Sequence, residues 1–255
     1  MPIKGLAVVT GASRGLGREL ALALAREGYD LAICARGRAG LDQVAAELVS
    51  CGAKCFPFVG NLGHPIMVHE FWLNGLAPIE VLINNAGYAH RLAPLEELDF
   101  VEEFRSFALN LHAPAGLIRS VLPAMKARGR GTIVNICSLA GRRSIRNASF
   151  YCASKFALRG LTESLGQELD GTGVRCFSAS PGGMQTQMRQ NLLGDAAQQQ
   201  GPSVVAQIIV EAISGRIPVP QGADLVIRGG EYAVVPREQW TGIIKGDQPE
   251  VARPR

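Results

Sequence analysis

The chain has 255 residues, 47% of them hydrophobic, which is enough apolar surface for a large core and argues against a disordered chain. The formal net charge of +4 is small and scattered, so it gives no support to nucleic-acid binding. No apolar run has the length of a signal-peptide core or a membrane span, and we therefore expect a cytoplasmic protein with neither a membrane nor a nucleic acid as partner.

Short apolar runs alternate with helical patterns along the chain. After the first run, Leu16, Leu20 and Leu24 recur every four residues, which is typical of an amphipathic helix. Continuous apolar strands joined by helices indicate a parallel sheet with helices on both faces. We predict a doubly wound α/β fold of the Rossmann type with about seven strands, which binds ligands beyond the carboxyl ends of its strands. The predicted strands are residues 6–11, 30–35, 54–60, 80–87, 131–138, 174–183 and, as the last strand, 224–230.

Nothing in the sequence marks a second domain. We predict one domain over residues 1–245 and a flexible polar tail over residues 246–255. Residues 64–80 leave room only for a reduced helix before the next strand.

A glycine-rich turn, residues 10–17 (TGASRGLG), lies between the first predicted strand and helix, which is the setting of a dinucleotide-binding turn. Gly11 permits the tight turn, Gly15 lets the backbone approach a pyrophosphate, and Gly17 allows close helix–strand packing. The free amides at the helix start would bind the phosphates. Glycine turns also end strands for purely structural reasons. The prediction of a dinucleotide site therefore rests on the position of this turn between a strand and a helix. The candidate cofactor-binding residues of this turn are Gly11, Ser13, Arg14, Gly15, Leu16 and Gly17.

The end of the second predicted strand indicates which cofactor binds. An acidic residue is expected there for ribose hydroxyls, but the sequence has Ala35 followed by Arg36. A carboxylate would repel a 2′-phosphate, whereas arginine forms charge-assisted hydrogen bonds with it, and Arg14 could approach from the glycine turn. The alternative is two solvated surface arginines. Together, and without a competing acid, they favour NADP(H) over NAD(H).

Cysteine spacing predicts no metal site. Cys51 and Cys55 form a C-x3-C pair with no second pair and no nearby histidine. We interpret the six cysteines as reduced thiols of a cytosolic protein.

Several motifs occur in the order and spacing of one known family. Besides TGASRGLG, they are NNAG (84–87), Asn110, Ser138, YCASK (151–155) and PGGMQT (181–186). From about residue 6 to residue 232 the chain resembles the short-chain dehydrogenases/reductases, in particular the compact branch that contains the 3-oxoacyl-carrier-protein reductases.

The resemblance implies a role for each matching residue. Tyr151 would be the general acid/base, and Lys155 its activator and a ligand of the nicotinamide ribose. Ser138 would hydrogen-bond the substrate carbonyl, and Asn110 would hold a helix kink and the water of a proton relay. Further implied cofactor contacts are Asn61, Leu62, Asn85, Ala86, Gly87, Pro181, Gly182, Met184 and Thr186.

The resemblance also implies a substrate lid at about residues 184–200, with an apolar inner face that includes Met188. It implies a homo-oligomer, either tetramer or dimer, formed through two long helices (around 100–127 and 152–170) and the last strand.

The Tyr151–Lys155 pair makes chemical sense without the family. Hydride addition to a carbonyl builds negative charge on oxygen, which needs a proton donor and a hydrogen-bonding partner. A spacing of four residues places both side chains on one helical face, and a nearby ammonium lowers the pKa of a phenol. Singly, Tyr151 could be a core tyrosine and Lys155 a surface lysine, but neither alternative explains the pair with Ser138.

The loop of residues 141–147 is unusually basic. Arg142, Arg143 and Arg146 could steer an anionic substrate, such as a phosphopantetheine or coenzyme A thioester. Solvated loop arginines are at least as good an explanation.

The leading hypothesis is an NADPH-dependent carbonyl reductase that acts on a small-molecule or carrier-bound ketone or aldehyde. The first alternative is an NADP-dependent secondary-alcohol dehydrogenase that runs in the oxidative direction. The second is a catalytically silent protein that senses NADP, against which the complete Asn110, Ser138, Tyr151 and Lys155 set argues.

Overall fold

The computed structural model describes residues 4–64, 78–186, 188 and 200–239. These residues form one eight-stranded sheet in the order β3-β2-β1-β4-β5-β6-β7-β8, in which only the last pair is antiparallel. The strands are β1 (Leu6–Thr10), β2 (Asp30–Ala35), β3 (Cys55–Val59), β4 (Ile79–Asn84), β5 (Gly131–Ile136), β6 (Val174–Pro181), β7 (Asp224–Arg228) and β8 (Glu231–Val235).

Helices cover both faces of this sheet. The helices are α1 (Gly15–Arg26), α2 (Arg38–Ser50), α3 (Phe100–Phe107), α4 (Ala113–Arg128), α5 (Ser149–Glu168) and α6 (Pro202–Ile213). A π-helical turn (Ala108–His112) joins α3 to α4, and single 3-10 turns lie at Leu95–Glu97, Leu139–Gly141 and Arg237–Gln239. Across the part of the chain that is described, no helix is long and apolar enough to cross a membrane.

The core consists of two apolar layers because strand side chains alternate between the faces. In β1, Ala7 and Val9 pack with α1, α2 and α6, whereas Leu6 and Val8 pack with α4 and α5. This arrangement confirms the predicted doubly wound α/β class and its continuous apolar strands.

The prediction that residues 224–230 form the last strand is wrong. β7 ends at Arg228, and the chain turns back into the antiparallel strand β8. Gly229 and Gly230 have φ angles of +64° and +82°, which suit the two central positions of a tight hairpin turn. Two successive glycines can end a strand or form the turn of a hairpin, and here they form the turn.

Other predicted strands are too long at their carboxyl ends. β4, β5 and β6 end at Asn84, Ile136 and Pro181, two or three residues before the predicted limits. The remaining residues form the loops of the candidate site. Most of the predicted reduced helix (64–80), most of the predicted lid (184–200) and the predicted tail (246–255) lie outside the described residues.

Two glycines of α5 provide a matched test of this packing. A Cβ atom on Gly166 would lie 2.4 Å from the Cα atom of Gly222, whereas one on Gly160 would meet nothing within 4 Å. Gly166→Ala should lower the free energy of unfolding by about 1–3 kcal/mol, because backbone must move. Gly160→Ala should raise it by about 0.5–1 kcal/mol through the lower entropy of the unfolded chain. Urea unfolding followed by circular dichroism measures both, and equal effects of the two changes would contradict the close packing at Gly166.

Candidate active site

A cleft of about 520 Å³ lies beyond the carboxyl ends of the parallel strands. It is centred where β1 is flanked by β2 on one side and by β4 on the other, the position at which doubly wound folds bind ligands. Of the predicted catalytic residues, Ser138, Tyr151 and Lys155 line the cleft. So do all the predicted cofactor-binding residues: Gly11, Ser13, Arg14, Gly15, Leu16, Gly17, Arg36, Asn61, Leu62, Asn85, Ala86, Gly87, Pro181, Gly182, Met184 and Thr186.

The glycine turn has the geometry that its sequence predicts. Gly11 and Gly15 have φ angles of +67° and +57°, which favour glycine. A Cβ atom on Gly17 would lie 2.3 Å from the carbonyl oxygen of Gly11, so only glycine lets α1 start this close to the turn. No side chain caps the first amides of α1. The turn therefore presents backbone N–H groups to the cleft.

Thr10 holds the glycine turn against the end of β4, and we did not predict this. Its hydroxyl accepts hydrogen bonds from the backbone amides of Asn85 and Ala86, both at 2.9 Å. In return, the Asn85 side chain donates to the carbonyl oxygens of Thr10 (2.8 Å) and Gly11 (3.3 Å). The Asn85 side chain thus ties two loops together. A buried hydroxyl at the end of an apolar strand, immediately before the turn, was the signal available in the sequence.

Asn110 lies beneath the cleft rather than in its wall. It sits in the π-helical turn between α3 and α4 and is fully buried. Its amide group accepts from the backbone N–H of Tyr88 (2.7 Å) and donates to the Tyr88 carbonyl (2.8 Å) and the Ser154 hydroxyl (2.9 Å). These contacts tie the irregular helix to the loop after β4. Its role in a water relay stays a prediction.

Ser138 and Tyr151 both line the cleft. Ser138 follows β5, and its hydroxyl accepts a hydrogen bond from the backbone N–H of Ala140 at 3.1 Å. Tyr151 is 8% exposed, and burial raises the pKa of its phenol above the ordinary value, while the Ser138 contact acts in the opposite direction. The phenol is therefore held in its protonated form at neutral pH.

Lys155 is buried on the next turn of α5. Its Nζ atom donates to the carbonyl oxygen of Ile136 at 2.8 Å, and burial lowers its pKa. Burial is the largest influence on the Tyr151 phenol and raises its pKa. The activation of Tyr151 by Lys155 stays a prediction. A spacing of four residues fixes the shared helical face but not the direction in which the ammonium points.

The three arginines of the basic loop have different surroundings. Arg142 turns away from the cleft and forms an ion pair with the fully buried Asp224, with Nη1 and Oδ2 2.6 Å apart. The other Asp224 oxygen accepts from Ser178 (2.7 Å) and Ser180 (2.8 Å). The idea that Arg142 steers substrate is therefore wrong. The sequence signal for this contact was the carboxylate of Asp224, which begins β7 directly before its apolar residues.

Apolar side chains surround the cleft near Tyr151. Leu109, Leu139 and Ile145 line it, and none of them was predicted. Met188, predicted for the inner face of the lid, also lines the cleft and is 39% exposed. The part of the cleft lined by these side chains is thus suited to an apolar ligand.

The chain is similar to several known proteins. A family model for short chain dehydrogenase matches residues 5–197. The ketoacyl reductase HetN of Nostoc is 37% identical over 216 residues, which cover 82% of this chain and 75% of that protein. The 3-alpha-(or 20-beta)-hydroxysteroid dehydrogenase of Mycobacterium bovis is 30% identical over 257 residues, with 96% of each chain covered.

The fold is also similar to those of solved oxidoreductase structures. A variant of the actinorhodin polyketide ketoreductase, in complex with NADPH, superimposes with a TM-score of 0.81 at 28% identity, and the match covers 89% of this chain and 96% of that chain. The family resemblance seen in the motifs and the prediction of an oxidoreductase are confirmed at this level. The chain belongs to the short-chain dehydrogenase family.

Proposed function

We propose that the protein is an NADPH-dependent carbonyl reductase in which Tyr151 donates a proton to the substrate oxygen. The observation that carries the proposal is that Ser138, Tyr151 and Lys155 line one cleft, with Tyr151 and Lys155 buried one helical turn apart. Two hydroxyl groups in one cleft can provide the proton donor and the hydrogen-bond donor that a developing alkoxide needs.

The residues present fit a phosphorylated dinucleotide. The glycine turn offers uncapped amides at a helix N-terminus, and side chains at Gly11 and Gly17 would collide with backbone. Arg14 and Arg36 line the same end of the cleft, where no acidic side chain occurs among the described residues. These features support NADP(H), which also occupies the related polyketide ketoreductase. When bound, NADPH supplies the hydride.

In the proposed reaction, Tyr151 and Lys155 supply the proton that the substrate oxygen receives. Because burial raises the pKa of Tyr151, the phenol is protonated at neutral pH and can act as the acid. Burial lowers the pKa of Lys155, which makes its ammonium a stronger acid. A proton on Lys155 can therefore replace the one that Tyr151 gives up. Alcohol oxidation would need the phenolate of Tyr151 as the base, and a raised pKa makes that phenolate less abundant.

The apolar wall formed by Leu109, Leu139, Ile145 and Met188 supports a substrate whose carbonyl lies next to an aliphatic or aromatic body. A carrier-bound 3-oxoacyl group and a free ketone both meet this description.

We also propose a homo-oligomer. Phe100 and Phe104 of α3 are 75% and 53% exposed, and their ring centroids lie 6.2 Å apart. Neighbouring Val101 is also exposed. A contiguous exposed apolar face on a helix is typical of a protein–protein contact, and α3 belongs to the long helix expected in the interface.

The first prediction concerns the cofactor. Arg36→Asp should raise the KM for NADPH at least tenfold and leave the KM for NADH equal or lower, because a carboxylate repels the 2′-phosphate. Steady-state kinetics with both cofactors measures this. The control is Arg38→Asp, which changes an exposed arginine outside the cleft lining. A wild-type enzyme with no preference for NADPH would contradict the assignment.

The second prediction concerns the acid. Tyr151→Phe should reduce turnover about 100- to 10,000-fold while NADPH binding persists, since only the proton donor is lost. Fluorescence titration and NADPH oxidation measure binding and turnover, with Tyr232→Phe as the control tyrosine on β8. Undiminished turnover in Tyr151→Phe would remove Tyr151 as the acid. A wild-type protein that binds NADPH but reduces nothing in a broad carbonyl panel would instead be the silent sensor.

The third prediction concerns assembly. Phe104→Glu should shift the protein from an oligomer to a smaller species in size-exclusion chromatography with light scattering. Val49→Glu is the control, because Val49 is 60% exposed on α2, on the opposite face of the sheet. A monomeric wild type would refute the oligomer.

A further inference from the structure

The charged side chains of the cleft are all of one sign. Among the described residues that line it they are Arg14, Arg36, Arg143 and Lys155, with no aspartate or glutamate. A concave site of low dielectric that carries only positive charge concentrates anionic ligands. The proposed cofactor and proton transfer use Arg14, Arg36 and Lys155. Arg143 remains without a role.

Arg143 lies at a different end of the cleft from the two cofactor arginines. Arg14 and Arg36 follow β1 and β2, whereas Arg143 follows β5, and β4 lies between β1 and β5. Since neighbouring strands are about 4.8 Å apart, the end of β5 lies about 10 Å from that of β1 and about 14 Å from that of β2. Arg143 therefore belongs to the end of the cleft that holds Ser138.

The backbone at Arg143 is held firmly. The preceding residue, Arg142, is anchored by its ion pair with buried Asp224, and the Arg143 amide donates to the Leu139 carbonyl at 3.0 Å. A Cβ atom on Gly141 would lie 2.8 Å from the carbonyl oxygen of Lys155, so this loop packs directly on α5. Two contacts and a close approach thus fix the point from which the Arg143 side chain extends.

The Arg143 side chain is exposed to solvent. Within the described part of the chain it forms no ion pair and no side-chain hydrogen bond, unlike Arg142 one residue earlier. A guanidinium group offers a planar pair of donors that matches a carboxylate or phosphate. Leu139 and Ile145, which flank it in sequence, add apolar surface to the same wall.

We propose that Arg143 is a specificity-determining residue that binds an anionic group, carboxylate or phosphate, on a substrate whose carbonyl region is apolar. This inference rests on the proposed reductase function. Of the three arginines of the basic loop, only Arg143 is proposed to bind substrate. Arg142 forms an ion pair with Asp224, and Arg146 is exposed but does not line the cleft.

The test uses pairs of ketones that differ only in charge. The pairs are 4-acetylbenzoate and 5-oxohexanoate, each with its methyl ester, and acetoacetyl-pantetheine with and without its 4′-phosphate. For each pair, kcat/KM with NADPH is measured for wild type, Arg143→Gln and Arg146→Gln. Calorimetric binding of the same compounds to the NADP⁺-loaded protein provides a second readout that does not need turnover.

In at least one pair, wild type should prefer the anionic member about 10- to 100-fold, the range expected for hydrogen bonds to a charged group. Arg143→Gln should bring that ratio close to one, and Arg146→Gln should keep it. Preference in the carboxylate pairs alone identifies a keto acid, and preference in the phosphate pair alone identifies a phosphorylated carrier.

Two results would overturn the anion site: equal kcat/KM for both members of every pair, or a preference that survives Arg143→Gln. If no ketone is turned over but an anionic member binds to wild type and not to Arg143→Gln, the anion site is supported and the reductase function is refuted. If neither binding nor turnover depends on Arg143, the anion site is refuted, whether or not the protein is a reductase.

Discussion

The hydroxyl of Thr10 accepts hydrogen bonds from two successive backbone amides, those of Asn85 and Ala86. This contact joins the ends of β1 and β4 where the two halves of the sheet meet and their ladder stops. Amides that leave a ladder need new partners, and here one side chain supplies both. The glycine turn begins at the next residue, and Gly87, which follows Ala86, lies where a Cβ atom would be 3.6 Å from the Lys155 ammonium. The cleft thus takes its shape from this junction.

Burial decides the chemistry of the side chains that this junction brings together. It disfavours the charged forms of both Tyr151 and Lys155, so it raises the pKa of the phenol and lowers that of the amine. The protein tolerates a fully buried carboxylate at Asp224 because Arg142, Ser178 and Ser180 bind it. Removing Arg142 would cost about 3–5 kcal/mol, because the Asp224 charge would be left buried without its ionic partner. A protonated phenol and an anchored loop both support the proposed reduction.

The sequence predicted the fold class and the lining of the cleft well, because both follow from local patterns. Continuous apolar runs joined by helices identify a parallel sheet. A glycine turn between strand and helix fixes the position of Gly11, Gly15 and Gly17. Contacts between distant segments were harder to predict. The Arg142–Asp224 pair joins residues 82 positions apart, and only the fold shows that Arg142 turns inward while Arg143 faces the cleft. The sequence did not predict the hairpin of β7 and β8, because two glycines can equally end a strand.

The most direct test of carbonyl reduction is to follow the hydride itself. Wild type is given NADPH deuterated at C4 of the nicotinamide, in each of its two stereochemical forms, with the ketone panel, and the alcohol is examined by mass spectrometry. We predict one deuterium on the carbinol carbon per NADP⁺ formed, from one of the two forms only. NADPH that binds but transfers no deuterium to any ketone would contradict the reductase function.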